Sequence, residues 1–196
     1  GPPINFGDKL TADHVIFSEE DASHDLKRYL LTVLDRATGW LEGCPCPSKD
    51  TAHTEMSLRD FAGSIVPKLL YTDYSAEFIE AAKRLKWLHD CSTDNRSATN
   101  GTIERANRNI LEGLRSALCE SGLEHKLWSQ AVVCWCQLCN ITRKLGDGRA
   151  PCQRRTGDAG AFAGRIVPYG TRVYYLPTAD REVEARHKAG PRIVPG

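Results

Sequence analysis

The chain has 196 residues, of which 41% are hydrophobic, and carries 26 Lys and Arg against 25 Asp and Glu. This composition excludes a disordered chain, and the apolar runs are too short to cross a bilayer, so we expect one soluble globular domain, with or without an appendage, and no membrane partner. Eight irregularly spaced cysteines do not suit a small disulfide scaffold and favour reduced thiols in an intracellular protein. The single methionine, Met56, favours a segment of a longer protein.

The net charge of +1 argues at first sight against a nucleic-acid partner, but the charge is unevenly spread. Residues 1–95 carry 10 basic and 16 acidic residues, whereas residues 96–155 carry 10 and 5. This asymmetry is either a fluctuation of surface charge, or an acidic region that holds cations followed by a basic region that holds an anion.

Hydrophobic periodicity and turn signals predict the elements in chain order. They are strands at 10–17, 29–35 and 40–46, a helix from 50 or 51 to 62, a strand at 68–72, a helix at 75–86, a strand at 87–91, a polar loop at 92–100, and helices at 101–121 and 124–143. This order predicts a mixed α/β domain: the first three strands pair as an antiparallel meander and the later ones as parallel crossovers, with helices on both faces. Residues 8–145 form this core, and 146–196 a Gly- and Pro-rich extension with a short strand at 172–177.

Three carboxylates fall where α/β sheets collect functional groups. Asp13 lies inside the first strand, Asp73 ends the fourth, and Glu104 lies in the opening turn of the long helix. Carboxylates converging from separate elements are the ligands that Mg²⁺ prefers. The alternative is that each is only a surface or helix-capping residue.

The surroundings of these residues resemble the DDE triad of retroviral-type integrases, and copia-like retrotransposon integrases in particular. The most specific part is the stretch from Asn100 to Arg108, Asn-Gly-Thr-Ile-Glu-Arg-Ala-Asn-Arg. Further support comes from the segments Leu10 to His14, Leu70 to Asp73 and Trp128 to Ala131. Two departures are Tyr74, where an Asn commonly follows the second Asp, and Leu111, where a basic residue is expected.

The resemblance implies an RNase H-like fold and two-metal phosphoryl transfer with two Mg²⁺ or Mn²⁺ ions. Asp13, Asp73 and Glu104 would be the catalytic residues and metal ligands. The reactions would be 3′-end processing of element DNA and strand transfer into target DNA. The resemblance also implies a homo-oligomer, a place in a longer polyprotein, and a nuclear location if the protein is active.

DNA contacts are expected from the basic middle segment. The candidates are Arg96, Thr99, Asn100, Arg105 and Arg108, because guanidinium groups and helix N-terminal amides both suit phosphate oxygens. Alternatively, Arg108 pairs with Glu104 or Glu112 at helical spacing.

The last predicted helix carries a cluster of three cysteines. Cys134, Cys136 and Cys139 do not share one helical face, so we interpret them as structural thiols rather than zinc ligands.

Besides an active integrase, the residues allow a catalytically decayed nucleic-acid-binding or assembly module of the same fold, or a related nuclease or transposase.

Overall fold

The structure is a computed structural model that describes residues 1–91, 97–157 and 160–174. Its elements follow the predicted order, with one additional helix. They are β1 (Leu10–Ile16), β2 (Tyr29–Asp35), β3 (Leu41–Cys46), α1 (Thr51–Ala62), β4 (Leu70–Thr72), α2 (Ala76–Leu85), β5 (His89–Cys91), α3 (Ser97–Ser121), a 3-10 turn (His125–Leu127), α4 (Trp128–Thr142) and α5 (Pro151–Thr156).

The sheet has five strands in the spatial order β3-β2-β1-β4-β5. β1 pairs with β2, and β2 with β3, in antiparallel fashion, whereas β1–β4 and β4–β5 are parallel pairs. The predicted five-stranded mixed sheet is therefore confirmed.

Alternating side chains of β2 divide the core between the two faces of the sheet. Leu30 and Leu34 pack with residues of α3 and α4, whereas Leu31 and Val33 pack with residues of α1 and α2. This is the two-residue period of a strand buried on both sides. Helices therefore flank both faces, as predicted.

The predicted ends of α1 are confirmed, and each has a local cause. The Asp50 side chain accepts a hydrogen bond from the backbone N–H of His53 at 2.8 Å, which satisfies a donor that the first helical turn leaves free. Gly63 ends the helix at φ 62°, a backbone conformation that glycine adopts without strain.

The prediction for the start of the long helix was wrong. Residues 97–100, expected in the polar loop, are helical, and α3 begins at Ser97. Ser, Thr, Asn and Gly are poor helix formers, which is why the sequence indicated a loop. Extending an existing helix by a turn costs much less than nucleating one, and α3 is already anchored by its packing on α4. The rest of the predicted loop, 92–96, lies outside the described residues.

The region after residue 145 also differs from expectation. Residues 151–156 form α5, which we did not predict; Pro151 occupies its first turn, where its missing N–H has no cost. Residues 172–174 form no strand, and 175–177 lie outside the described part of the chain. The guanidinium of Arg155 lies 4.1 Å from the ring centroid of Phe6 and 4.5 Å from that of Trp40, so α5 packs on the core. The domain boundary at 145/146 stays a prediction.

No helix within the described ranges has the length and apolar character needed to cross a membrane.

Gly113 allows the close approach of α3 and α4, and this gives a testable prediction. A Cβ at Gly113 would overlap the indole of Trp135, whereas one at Gly101 in the same helix would meet nothing within 4 Å. We expect Gly113→Ala to lower the free energy of unfolding by about 1–2 kcal/mol, because overpacking outweighs the gain in helix propensity. The matched control Gly101→Ala should raise it by about 0.5–1 kcal/mol. Urea denaturation measures both; equal effects would contradict this packing.

Candidate active site

The first two predicted acidic residues lie on and just after two neighbouring strands. Asp13 is in the middle of β1, and Asp73 directly follows β4. In the parallel pairing of these strands Thr11 lies opposite Tyr71, so Asp13 and Asp73 each lie two residues beyond that pair. Because neighbouring strands are about 4.8 Å apart, the backbone brings the two residues together where β4 ends.

The third predicted residue, Glu104, comes from α3 and is exposed. Because α3 begins at Ser97, Glu104 is its eighth residue and not part of its opening turn, which corrects the prediction. The charge of Glu104, like that of Asp73, contributes to raising the pKa of Asp13.

Asn107, one turn after Glu104, anchors α3 to the acidic site. Its Nδ2 donates a hydrogen bond of 2.8 Å to Asp13 Oδ2, and the residue is buried. We did not predict this residue. The available signal was its position: a polar side chain on the stripe that Ile103 and Ile110 form, where an apolar residue would otherwise pack.

The carboxylate of Asp13 is destabilised in its charged form. Burial raises its pKa and the charges of Asp73 and Glu104 add to this effect, while the bond from the backbone N–H of His14 and the charge of Lys49 oppose it. Asp73 also has an unsatisfied oxygen, because its Oδ1 is buried without a hydrogen-bond partner in the described part of the chain. Buried carboxylate oxygens require a counter-charge or a donor.

The donor chemistry of this site fits a hard divalent cation, but the side chains are not gathered around one. Among the described residues, no three His, Cys, Asp or Glu side chains are placed closely enough to hold a metal ion. The features that fit are the oxygen donors of Asp13 on β1 and of Asp73 directly after β4, and Asp73 Oδ1, which has no hydrogen-bond partner among the described residues.

A positively charged group next to the carboxylates was missed by the sequence analysis. Lys49 Nζ lies 2.7 Å from Glu77 Oε1. Although burial acts in the opposite direction, the bond to Glu77 and the charges of Asp73 and Asp13 raise the pKa of Lys49. No sequence spacing relates these residues, since the loop before α1 and the first turn of α2 come together only in the fold.

His14, the neighbour of Asp13, points to the other face of the sheet. Its ring centroid lies 4.6 Å from that of Phe78, and its Nδ1 lies 3.8 Å from Glu77 Oε1. Burial and the charge of Lys49 lower the pKa of His14 to about 4, against the opposing effect of Glu77. The imidazole is therefore neutral at physiological pH.

The predicted DNA-contacting residues are only partly described. Arg105 and Arg108 are exposed on α3, and within the described ranges Arg108 forms no ion pair with Glu104 or Glu112, so the alternative pairing is not observed. Thr99 and Asn100 lie in the first turn of α3, with side chains outside the described part. Arg96 lies outside the described residues altogether.

The cysteines of α4 are buried to different extents. Cys136 is buried in the cluster that joins β2, β3 and α4, whereas Cys134 and Cys139 are half-buried. Burial raises the pKa of the Cys136 thiol well above its usual range and that of Cys139 to about 11. Thiols with such pKa values are weak nucleophiles.

The sequence of this chain is similar to parts of two known viral polyproteins. No family model matches the chain. The Pol polyproteins of two equine infectious anemia virus isolates, 1369 and CL22, are each 24% identical to it over 142 residues. The match covers 68% of this chain, which spans only 12% of the length of these relatives.

A solved structure matches a larger share of the chain. It is the cryoEM structure of the simian T-cell lymphotropic virus intasome in complex with PP2A regulatory subunit B56 gamma, with a TM-score of 0.65 and 16% sequence identity. The match covers 90% of this chain and 63% of the other. Together with the strand order, this match shows an RNase H-like α/β fold.

Proposed function

We propose that this chain is the catalytic domain of a retrotransposon integrase of the copia-like type, which performs 3′-end processing and strand transfer of DNA. The observation that carries the proposal is that Asp13 lies on β1 and Asp73 directly follows the parallel neighbour β4, while Asp13 accepts a hydrogen bond from Asn107 of the helix that carries Glu104. The similarity to Pol polyproteins and to an intasome chain supports the same class of reaction.

In this proposal Asp13, Asp73 and Glu104 hold two Mg²⁺ or Mn²⁺ ions. When bound, such ions activate an attacking oxygen and stabilise a leaving one. The protein's own contribution is positional: the backbone N–H of His14 and Nδ2 of Asn107 hold the two oxygens of Asp13, at 2.8 Å each. Lys49 supplies positive charge beside the carboxylates. No side chain has to act as a covalent nucleophile.

The proposed partners are element ends and target DNA. Arg105 and Arg108 are exposed on the helix that carries Glu104, and guanidinium groups bind phosphate oxygens with weak sequence preference. The short span of the chain relative to Pol polyproteins is consistent with a segment of a longer polyprotein. A homo-oligomer and a nuclear location complete the proposal.

Replacing Arg108 tests the DNA surface. We expect Arg108→Gln to weaken binding to a short duplex and to reduce the slope of log K against log salt by about 1, because one phosphate contact is lost. Arg59→Gln, on α1 and away from this surface, is the matched control. Fluorescence anisotropy over a salt series measures both; identical slopes in the two variants would exclude a phosphate contact by Arg108.

A joining assay tests the reaction itself. The protein is incubated with a labelled linear duplex and a supercoiled plasmid in Mg²⁺, Mn²⁺ or EDTA. We expect joined products that require the divalent ion. A catalytically decayed binding module is the second candidate, favoured by the three carboxylates not being gathered around one position. It would bind both DNAs without joining or nicking, whereas nicking without joining would indicate a related nuclease.

A further inference from the structure

A cavity of about 380 Å³ lies between the β2–β3 turn, α3 and the segment that follows α4. Leu34, Leu41 and Ala106 form part of its apolar lining. Its charged lining consists of four arginines and one carboxylate: Arg36, Arg105, Arg143, Arg154 and Asp35. The cavity is therefore strongly basic.

Two of these charged residues already have partners. Arg154 forms an ion pair with Asp147 at 2.9 Å. Asp35 is buried, and its carboxylate accepts hydrogen bonds from the backbone N–H of Gly7 at 2.9 Å and from both the N–H and the hydroxyl of Thr38 at 2.7 Å. Neither residue supplies the other three arginines with a free counter-ion.

Among the residues that the structure describes, the other three arginines form no ion pair. Arg36 and Arg105 are exposed and form no ion pair within the described ranges. Arg143 donates from Nη2 to the carbonyl of Gly39 at 3.1 Å, but its Nε is buried and without a hydrogen-bond partner there. Three guanidinium groups around one cavity repel each other, and a buried donor without an acceptor is costly. An anion in the cavity would relieve the repulsion.

This cavity is separate from the acidic site. Along β2, Asp35 lies three residues from Thr32, the partner of Asp13 in the sheet, which corresponds to about 10 Å. On α3 the cavity is lined by Arg105, Ala106 and Asn109, whereas Asn107 contacts Asp13 from another face of the helix. None of the three proposed metal ligands lines the cavity.

We propose that Arg36, Arg105 and Arg143 form a binding site for a phosphate group. Guanidinium groups present paired donors that match the oxygens of a phosphate, and these three arginines line one cavity. The phosphate group comes either from a nucleic-acid backbone or from a free phosphate compound. Because the site needs no metal ligand, it exists whether or not the domain is catalytically active.

The experiment titrates the full chain in EDTA with two probes, inorganic phosphate and a short DNA duplex, by calorimetry. Arg36→Gln changes an exposed side chain that forms no hydrogen bond or ion pair in the described part, so the fold should be retained, and circular dichroism checks this. Arg143→Lys keeps the charge but loses the Nε donor. Arg115→Gln, an exposed arginine of α3 that does not line the cavity, is the matched control.

We expect Arg36→Gln and Arg143→Lys each to raise the dissociation constant for at least one of the two probes about tenfold, which is the effect of losing one charge-assisted hydrogen bond. Arg115→Gln should bind both probes as the wild type does. If the variants bind inorganic phosphate more weakly, the site accepts a free phosphate compound. If they bind only the duplex more weakly, the site binds the phosphates of a nucleic-acid backbone. If Arg36→Gln and Arg115→Gln behave alike with both probes, the proposal is wrong. A variant of a proposed metal ligand that loses joining activity should still bind both probes in EDTA as the wild type does. The phosphate site and the proposed integrase activity can therefore be refuted independently.

Discussion

We expect Asp13→Asn to lower the rate of DNA joining at least about 10³-fold, which corresponds to about 4 kcal/mol of activation free energy, because an amide is a poor ligand for Mg²⁺ and carries no charge. The same variant should melt at a higher temperature than the wild type in EDTA at neutral pH. The pKa of Asp13 is raised in the folded protein by burial and by the charges of Asp73 and Glu104, so ionisation of this carboxyl group destabilises the fold. Joining assays and thermal denaturation measure the two effects.

Asp60→Asn is the matched control for this pair of effects, since Asp60 is exposed on α1 and away from the acidic site. It should change neither the joining rate nor the melting temperature. A joining rate in Asp13→Asn equal to that of the wild type would exclude the role proposed for Asp13. A lower melting temperature in EDTA would show instead that the charged carboxylate stabilises the fold through Asn107.

The neighbouring residue should make the protein sensitive to acid. The pKa of His14 falls to about 4 in the folded state, from an ordinary value of 6.5, because of burial and the charge of Lys49. Between these two pH values the unfolded chain binds a proton that the folded chain does not, so the free energy of unfolding decreases as pH falls. Between pH 7.5 and pH 5 we expect protonation of His14 in the unfolded chain to lower the free energy of unfolding by about 2 kcal/mol.

His14→Phe isolates this contribution, because it retains a ring next to Phe78 and cannot be protonated. Urea denaturation at the two pH values should show a loss about 2 kcal/mol smaller in the variant than in the wild type. Protonation of Asp13 acts in both proteins and cancels in this comparison. His24→Gln, at an exposed histidine, should lose as much stability as the wild type. Equal losses in His14→Phe and the wild type would contradict a depressed pKa.

Asp13 and His14 show how one physical cause gives opposite results. Burial disfavours the charged form of each side chain, so the pKa of the carboxyl group rises and that of the imidazole falls. Consecutive residues of a strand point to opposite faces of the sheet. Asp13 therefore faces Asn107 of α3, while His14 faces Phe78 of α2.

The sequence by itself determined the five strands of the sheet, α1, α2 and α4, and their order, because those depend on local patterns. Apolar alternation marked β2, and Asp50 and Gly63 marked the two ends of α1. The resemblance carried by Asn100 to Arg108 directed attention to Asp13, Asp73 and Glu104, and the parallel register of β1 and β4 places the first two side by side.

Only the tertiary structure decided which distant residues meet. Local patterns give no information about contacts across ninety residues, such as that of Asn107 with Asp13, or about Lys49 and Glu77 beside the carboxylates. The first turn of α3 and the helix α5 were missed for a related reason: their own residues favour irregular structure, and packing on the rest of the fold offsets that preference. The arginine-lined cavity likewise exists only because β2, α3 and the chain after α4 converge.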